Sequence, residues 1–179
     1  MGHRVQVYVY DESHGLSRRI SRILTGRQFD GVWHTNVVVY GRELGYGYGI
    51  IFQQPSAVYE QELIDVIDMG ETSVDEAVFI EFLGQLAARF GVDNYHLTVD
   101  WNCNHFTDEC VFFLTGRNLP PWIRDFSTEV LSTRLGYFLR PVCAALFWKP
   151  RLVFAVLEWQ SYLKLWVWYW WSRMLLCPT

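Results

Sequence analysis

Val5, Val7 and Val9 alternate with Gln6, Tyr8 and Tyr10, and this period of two predicts a strand. The period changes in LSRRISRILT, residues 16–25, where Leu16, Ile20, Ile23 and Leu24 make one helical stripe and Gly26 can end the last turn. Residues 32–40, VWHTNVVVY, are β-branched and aromatic and predict a second strand. Alternation puts Val32, His34, Asn36 and Val38 on one face of it, and Trp33, Thr35, Val37 and Val39 on the other. Gly41-Arg42 predicts a turn into a further short strand. The run Gly45-Tyr46-Gly47-Tyr48-Gly49 before Ile50-Ile51-Phe52 reads as a hairpin, its alternate glycines leaving room for a close backbone approach. Residues 63–67, LIDVI, predict one more short strand.

Helices dominate the second half. Ser73 and Glu76 have the spacing of a capping box, after which Phe79, Leu83, Leu86 and Phe90 recur at helical spacing up to Gly91. Residues 95–99 read as a short extended piece. A second helix is predicted to open at Asn102–Cys103 and close at Gly116, with Phe106, Cys110, Phe113 and Leu114 on its apolar face. Pro120-Pro121 then begins short helical turns that run to about Leu139. Strands followed by helices predict an α+β fold with a small sheet.

Composition narrows the function. In 179 residues, 51% hydrophobic and 19% charged, there is enough apolar material for a core, which excludes intrinsic disorder as the main state. A net charge of −4 argues against a nucleic-acid partner, because phosphate binding needs a basic face. Four widely spaced cysteines and an N-terminus without the apolar core of a secretory signal point to free thiols in a reducing compartment, the cytoplasm, with the nucleus open to it.

Cys103 is the most informative residue. The first turn of a helix offers unpaired amides and the positive end of the helix dipole, and both favour the thiolate, which is the nucleophilic form. Position alone leaves open a second reading, a cysteine buried as a small hydrophobe; Cys110, on the apolar stripe, is read as core. A nucleophilic cysteine needs a base. His3 and His14 flank the first strand and are read as solvated, His96 as locally hydrogen-bonded, and His105 is turned about 200° from Cys103 on the helix. His34, in mid-strand among apolar residues, must be compensated by a partner if buried. Asn36 shares its face, but successive same-face residues are about 7 Å apart, which argues against Asn36 as its orienter. No CxxC or HxxxH spacing occurs, and Cys-x-His within one turn converges poorly, so neither a metal nor a cofactor is expected.

The motifs also fall in a recognisable order. Trp33-His34-Thr35 and Gly45-Tyr46-Gly47-Tyr48-Gly49-Ile50 are followed by Tyr95-His96-Leu97, Asn102-Cys103-Asn104-His105-Phe106 and Phe113-Leu114-Thr115-Gly116-Arg117. Leu119-Pro120 and Val130-Leu131-Ser132-Thr133 complete the series. Over residues 3–142 this resembles the PPPDE family of papain-like cysteine peptidases, and within it the desumoylating isopeptidase type. The resemblance implies a permuted papain-like fold and a catalytic Cys–His dyad, in which His34 precedes Cys103; it brings no third residue. It also implies cleavage of SUMO, and in some members ubiquitin, from substrate lysines. A modifier's Gly-Gly tail would suit a narrow groove lined by aromatics and the 45–49 glycines. The same dyad would serve a thioesterase removing acyl groups from protein cysteines, and a silent dyad would leave a binding or adaptor protein. Whether the protein forms a homodimer stays open.

The resemblance stops at residue 142, and residues 143–179 form a separate tail. Six of the nine tryptophans lie between Trp148 and Trp171, and Lys149, Arg151, Lys164 and Arg173 stand against Glu158 alone. Residues 152–171 predict a helix about 30 Å long, enough to span a bilayer. Glu158, Gln160, Ser161 and Lys164 in its middle favour instead a helix lying in the membrane interface, where tryptophan and tyrosine prefer to sit. Packing on the domain or on a second copy is the other reading.

Overall fold

The computed structural model describes residues 2–47, 49–55, 63–91, 94 and 101–138. The extended piece at 95–99, His96 and the whole tail from 143 lie outside the described residues.

Five strands form one antiparallel sheet in the order β4-β3-β2-β1-β5: β1 His3–Asp11, β2 Trp33–Val39, β3 Arg42–Gly47, β4 Gly49–Gln53 and β5 Leu63–Thr72. Among the described residues, three longer helices, α1 Leu16–Thr25, α2 Glu76–Leu86 and α3 Cys103–Thr115, and two short ones, α4 Pro121–Arg124 and α5 Phe126–Leu131, join the sheet in an α+β architecture. The valine alternation seen in the sequence sets the sheet's inner face. Val5, Val7 and Val9 are fully buried and meet Val37, Val39, Leu44 and Tyr46 in one cluster. Phe79, Leu83 and Leu86 of α2, and Phe106, Cys110, Val111 and Leu114 of α3, close the core from above. Tyr40 and Gly41, at φ 52° and 71°, make the two-residue turn between β2 and β3, the left-handed pair that matches strand twist. Gly116, at φ 70°, ends α3 as expected.

Three local expectations fail. The Ser73–Glu76 capping box does not form: Asp75 stands at the N-cap of α2 and makes no side-chain cap bond. The helix ends at Leu86, and Phe90 reaches the core through a looser turn closed by its N–H on the Leu86 carbonyl. β5 continues five residues past LIDVI, because pairing with β1 carries Asp68-Met69-Gly70 along; Arg4 and Asp68 pair at 2.7 Å across that ladder.

The stripe of α1 is inverted. Ser17 and Ser21 are its buried residues, while Leu16 and Leu24 are about half exposed and Ile23 is 84% exposed. Both serine hydroxyls donate to the Phe29 carbonyl, at 3.1 and 3.2 Å, and the Phe29 N–H donates to the Ser21 oxygen at 2.8 Å. Paired hydroxyls dock the helix, and its apolar edge is left to line a cleft.

Candidate active site

α3 starts abruptly. Trp101 sits at φ 64°, a strained left-handed conformation for a bulky residue, with its ring packed edge-on to Phe90 and under the Arg89 guanidinium. Asn102 follows as N-cap. Its Oδ1 accepts the His105 backbone N–H at 3.1 Å and lies 2.8 Å from His105 Nδ1, while its Nδ2 donates to Ser127 Oγ at 2.9 Å. Cys103 is therefore the first residue of a capped helix, 4% exposed, where the dipole favours negative charge. The His105 ring turns to the cap, consistent with its angular offset from Cys103.

His34, near the start of β2, is 7% exposed and hydrogen-bonds Cys103. The two residues are thus brought together from opposite halves of the chain. Burial pulls the imidazole pKa down, but the charge of Cys103 and its hydrogen bond, the charge of Glu12 and the Asn36 bond outweigh it and push it up to about 9. Glu12 Oε1 is 3.7 Å from His34 Nδ1. Cys110 is a different kind of thiol: fully buried, and held well above the usual range by burial and then by the Glu109 charge. It belongs to the core, as its place on the stripe implies.

Asn36 overturns an expectation. Its Oδ1 lies 3.0 Å from His34 Nε2. The 7 Å same-face spacing applies to the backbone; an imidazole and an amide leaning toward each other close it. Gly45 makes the space, because any Cβ there would collide with Asn36 Oδ1. The close approach at the glycine run is therefore by a side chain. Behind Asn36 lies Glu43, fully buried, whose Oε1 accepts Asn36 Nδ2 at 2.7 Å and the Tyr10 hydroxyl at 2.8 Å.

Asn104 ties α3 to β2 beside both residues. Its Oδ1 accepts the Thr35 hydroxyl at 2.9 Å and lies 3.7 Å from Cys103 Sγ, and its Nδ2 donates to the Trp33 carbonyl at 3.1 Å and the Ile123 carbonyl at 3.5 Å. One turn on, Thr107 Oγ1 donates to the Thr35 carbonyl at 2.9 Å. The sequence patterns do not mark Asn104, Glu43, Glu12 or Tyr10 as site residues. Asn104 was within reach, since it lies inside the motif that marks Cys103. Glu43 and Tyr10 join His34 only through strand register, Tyr10 opposite His34 and Glu43 opposite Val38.

A cleft of about 370 Å³ opens beside Cys103. Leu16, Ile20 and Leu24 of α1, Phe29, Trp33, and Phe126 and Val130 of α5 line it, so its wall is almost entirely carbon. The expected lining by residues 45–49 is not found among the described residues: the cleft draws on neither β3 nor β4. Among the described residues no three His, Cys, Asp or Glu side chains group closely enough to hold a metal ion.

The profile described as "PPPDE putative peptidase domain" matches residues 3–144. The chain belongs to the PPPDE family. It is 43% identical over 142 residues to desumoylating isopeptidase 1 of Xenopus laevis, a match covering 78% of this chain and 83% of the relative. The Homo sapiens protein of the same name is 41% identical over 148 residues, covering 82% and 88%, and that of Rattus norvegicus 43% over 139 residues, covering 76% and 82%. Membership of the PPPDE family, together with these relatives, makes the protein a cysteine-type isopeptidase.

Proposed function

We propose that this PPPDE protein hydrolyses the isopeptide bond between the C-terminal glycine of SUMO and a substrate lysine, with Cys103 as nucleophile and His34 as base and then acid. The hydrogen-bonded sulfur and imidazole at the head of α3 carry this reading, and the relatives' name supplies the modifier. His34 on a strand ahead of Cys103 on a helix fits a permuted papain-like order. The Sγ proton passes to His34, and the sulfur electron pair attacks the glycine carbonyl. First-turn amides of α3, that of Cys103 included, stabilise the oxyanion. The His34 proton goes to the lysine nitrogen as the C–N bond breaks, leaving a thioester on Cys103. Water, giving its proton to His34, then releases the free carboxylate.

The carbon-lined cleft favours a second reading, removal of fatty acyl groups from protein cysteines, since a methylene chain would lie against α1 and α5. Electrophilic probes carrying SUMO, ubiquitin or a fatty acyl group separate the readings. SUMO is expected to label Cys103 fastest. Faster labelling by ubiquitin changes the modifier, faster acyl labelling makes the protein a thioesterase, and no labelling by any probe overturns the catalytic reading.

The raised imidazole value sets an alkaline limit. Cleavage needs the imidazolium as acid, so kcat/KM is expected to fall about tenfold per pH unit above about 9. The same shift stabilises the fold: that contribution is full below pH 6.5 and fades as pH rises toward about 9. Initial rates across the alkaline range check the first statement, and a limb that breaks near 6.5 would show that Cys103 does not hold the His34 proton.

A further inference from the structure

We propose that Glu43 is a positioning residue which, acting through Asn36, keeps the hydrogen on His34 Nε2 and so reserves Nδ1 for the proton exchanged with Cys103. The proposal rests on the reading of Cys103 and His34 as nucleophile and base.

Direction along a buried chain of hydrogen bonds selects the tautomer. A carboxylate oxygen only accepts, and Glu43 Oε1 takes two donors, the Tyr10 hydroxyl at 2.8 Å and Asn36 Nδ2 at 2.7 Å. That fixes which way the Asn36 amide faces: its nitrogen toward Glu43 and its oxygen toward His34, 3.0 Å from Nε2. An amide oxygen also only accepts, so Nε2 must carry hydrogen in both the neutral and the protonated ring. The proton that comes and goes is then the one on Nδ1, the nitrogen 3.7 Å from Glu12 Oε1. Its transfers balance without outside help: Nδ1 takes the proton from Sγ, the electron pair staying on sulfur, and gives it to the departing lysine nitrogen.

Burial makes the arrangement rigid. Asn36 and Glu43 are fully buried and Tyr10 is 1% exposed, so water does not compete for these bonds. Gly45 is part of the device, since a side chain there would displace the Asn36 oxygen. A neutral amide in place of Glu43 would let the whole chain run either way. Glutamine turned over would donate to Asn36 and Tyr10, Asn36 would turn in response, and Nε2 would become the acceptor.

The test reads the tautomer directly, by nitrogen-15 NMR of the full-length Cys103→Ala protein labelled in histidine, at a pH where the ring is neutral. His34 is assigned by comparison with His34→Gln. A single Nε2–H form is expected, and an Nδ1–H form overturns the proposal. Adding Glu43→Gln to Cys103→Ala is expected to bring in the Nδ1–H form. In the protein with Cys103 intact, Glu43→Gln is expected to lower kcat by about 100-fold with KM within about twofold, the signature of a misdirected base. Unchanged tautomer and unchanged kcat in Glu43→Gln would also overturn it. Should Glu43→Gln fail to fold, the Cys103→Ala spectrum alone decides. Turnover surviving Cys103→Ala would refute Cys103 as the nucleophile and leave the tautomer result standing, so the two failures are distinguishable.

Discussion

Cys103→Ala is expected to abolish cleavage of a SUMO conjugate, a loss of about 10⁴-fold or more, and His34→Ala to cost about 10²- to 10⁴-fold. The size follows from the lack of substitutes within reach among the described residues. Cys110 is two turns deeper in α3, fully buried, with a thiol held up by burial. The His105 ring is engaged by Asn102 Oδ1 at 2.8 Å. In the proposed mechanism the sulfur and the imidazole share one step, so the double variant is expected to be no slower than Cys103→Ala. Conjugate binding should survive in Cys103→Ala, since the small side chain leaves α1, α5 and the cleft unchanged. Gel cleavage and pull-down of the uncleaved conjugate measure the two halves. Wild-type turnover in Cys103→Ala would move the nucleophile elsewhere.

How much of this could be read from the chain depends on how far each signal reaches. Val5, Val7 and Val9 announce β1 because alternation is a property of neighbours, and all three are fully buried where the pattern puts them. The opening of α3 is equally local: Asn102 is a good cap, Gly116 a good stop, and Cys103 falls between them in the first turn. That His34 and Cys103 meet is a long-range fact, reached from sequence by resemblance to a family and in the structure by the packing of α3 on β2. The errors come from the same divide. α1 has a clean apolar stripe, yet two serine hydroxyls bonded to the Phe29 carbonyl decide which side faces inward. The backbone spacing that argues against Asn36 says nothing of how far side chains lean. Glu43 carries no local mark at all; a carboxylate after Gly41-Arg42 looks like a solvated turn residue until strand register sets it opposite Val38 and buries it.

Asn104→Leu is expected to combine a loss of stability of about 2–3 kcal/mol with a loss of kcat of about 100-fold or more. The side chain is 3% exposed and bonds the strand on both sides of His34, at the Trp33 carbonyl and the Thr35 hydroxyl, while its Oδ1 faces Cys103 Sγ at 3.7 Å. Leucine fills similar space but leaves those strand groups unpaired in a dry environment, which accounts for the stability term. The kinetic term is separate. α3 would then be held on β2 chiefly by apolar packing and by Thr107, one turn from the reacting atoms, and a displacement of about 1 Å between sulfur and imidazole is worth about 100-fold. Thr107→Val is the control, because it removes the Thr107 bond to the Thr35 carbonyl and leaves the Asn104 bonds to Trp33 and Thr35 in place. It is expected to cost about 1 kcal/mol with kcat within about threefold. Urea unfolding and steady-state kinetics on both variants separate clamp from scaffold. Equal loss of kcat in Thr107→Val would mean that general stability of the α3–β2 contact, and not the bonds of Asn104, sets the geometry of the pair.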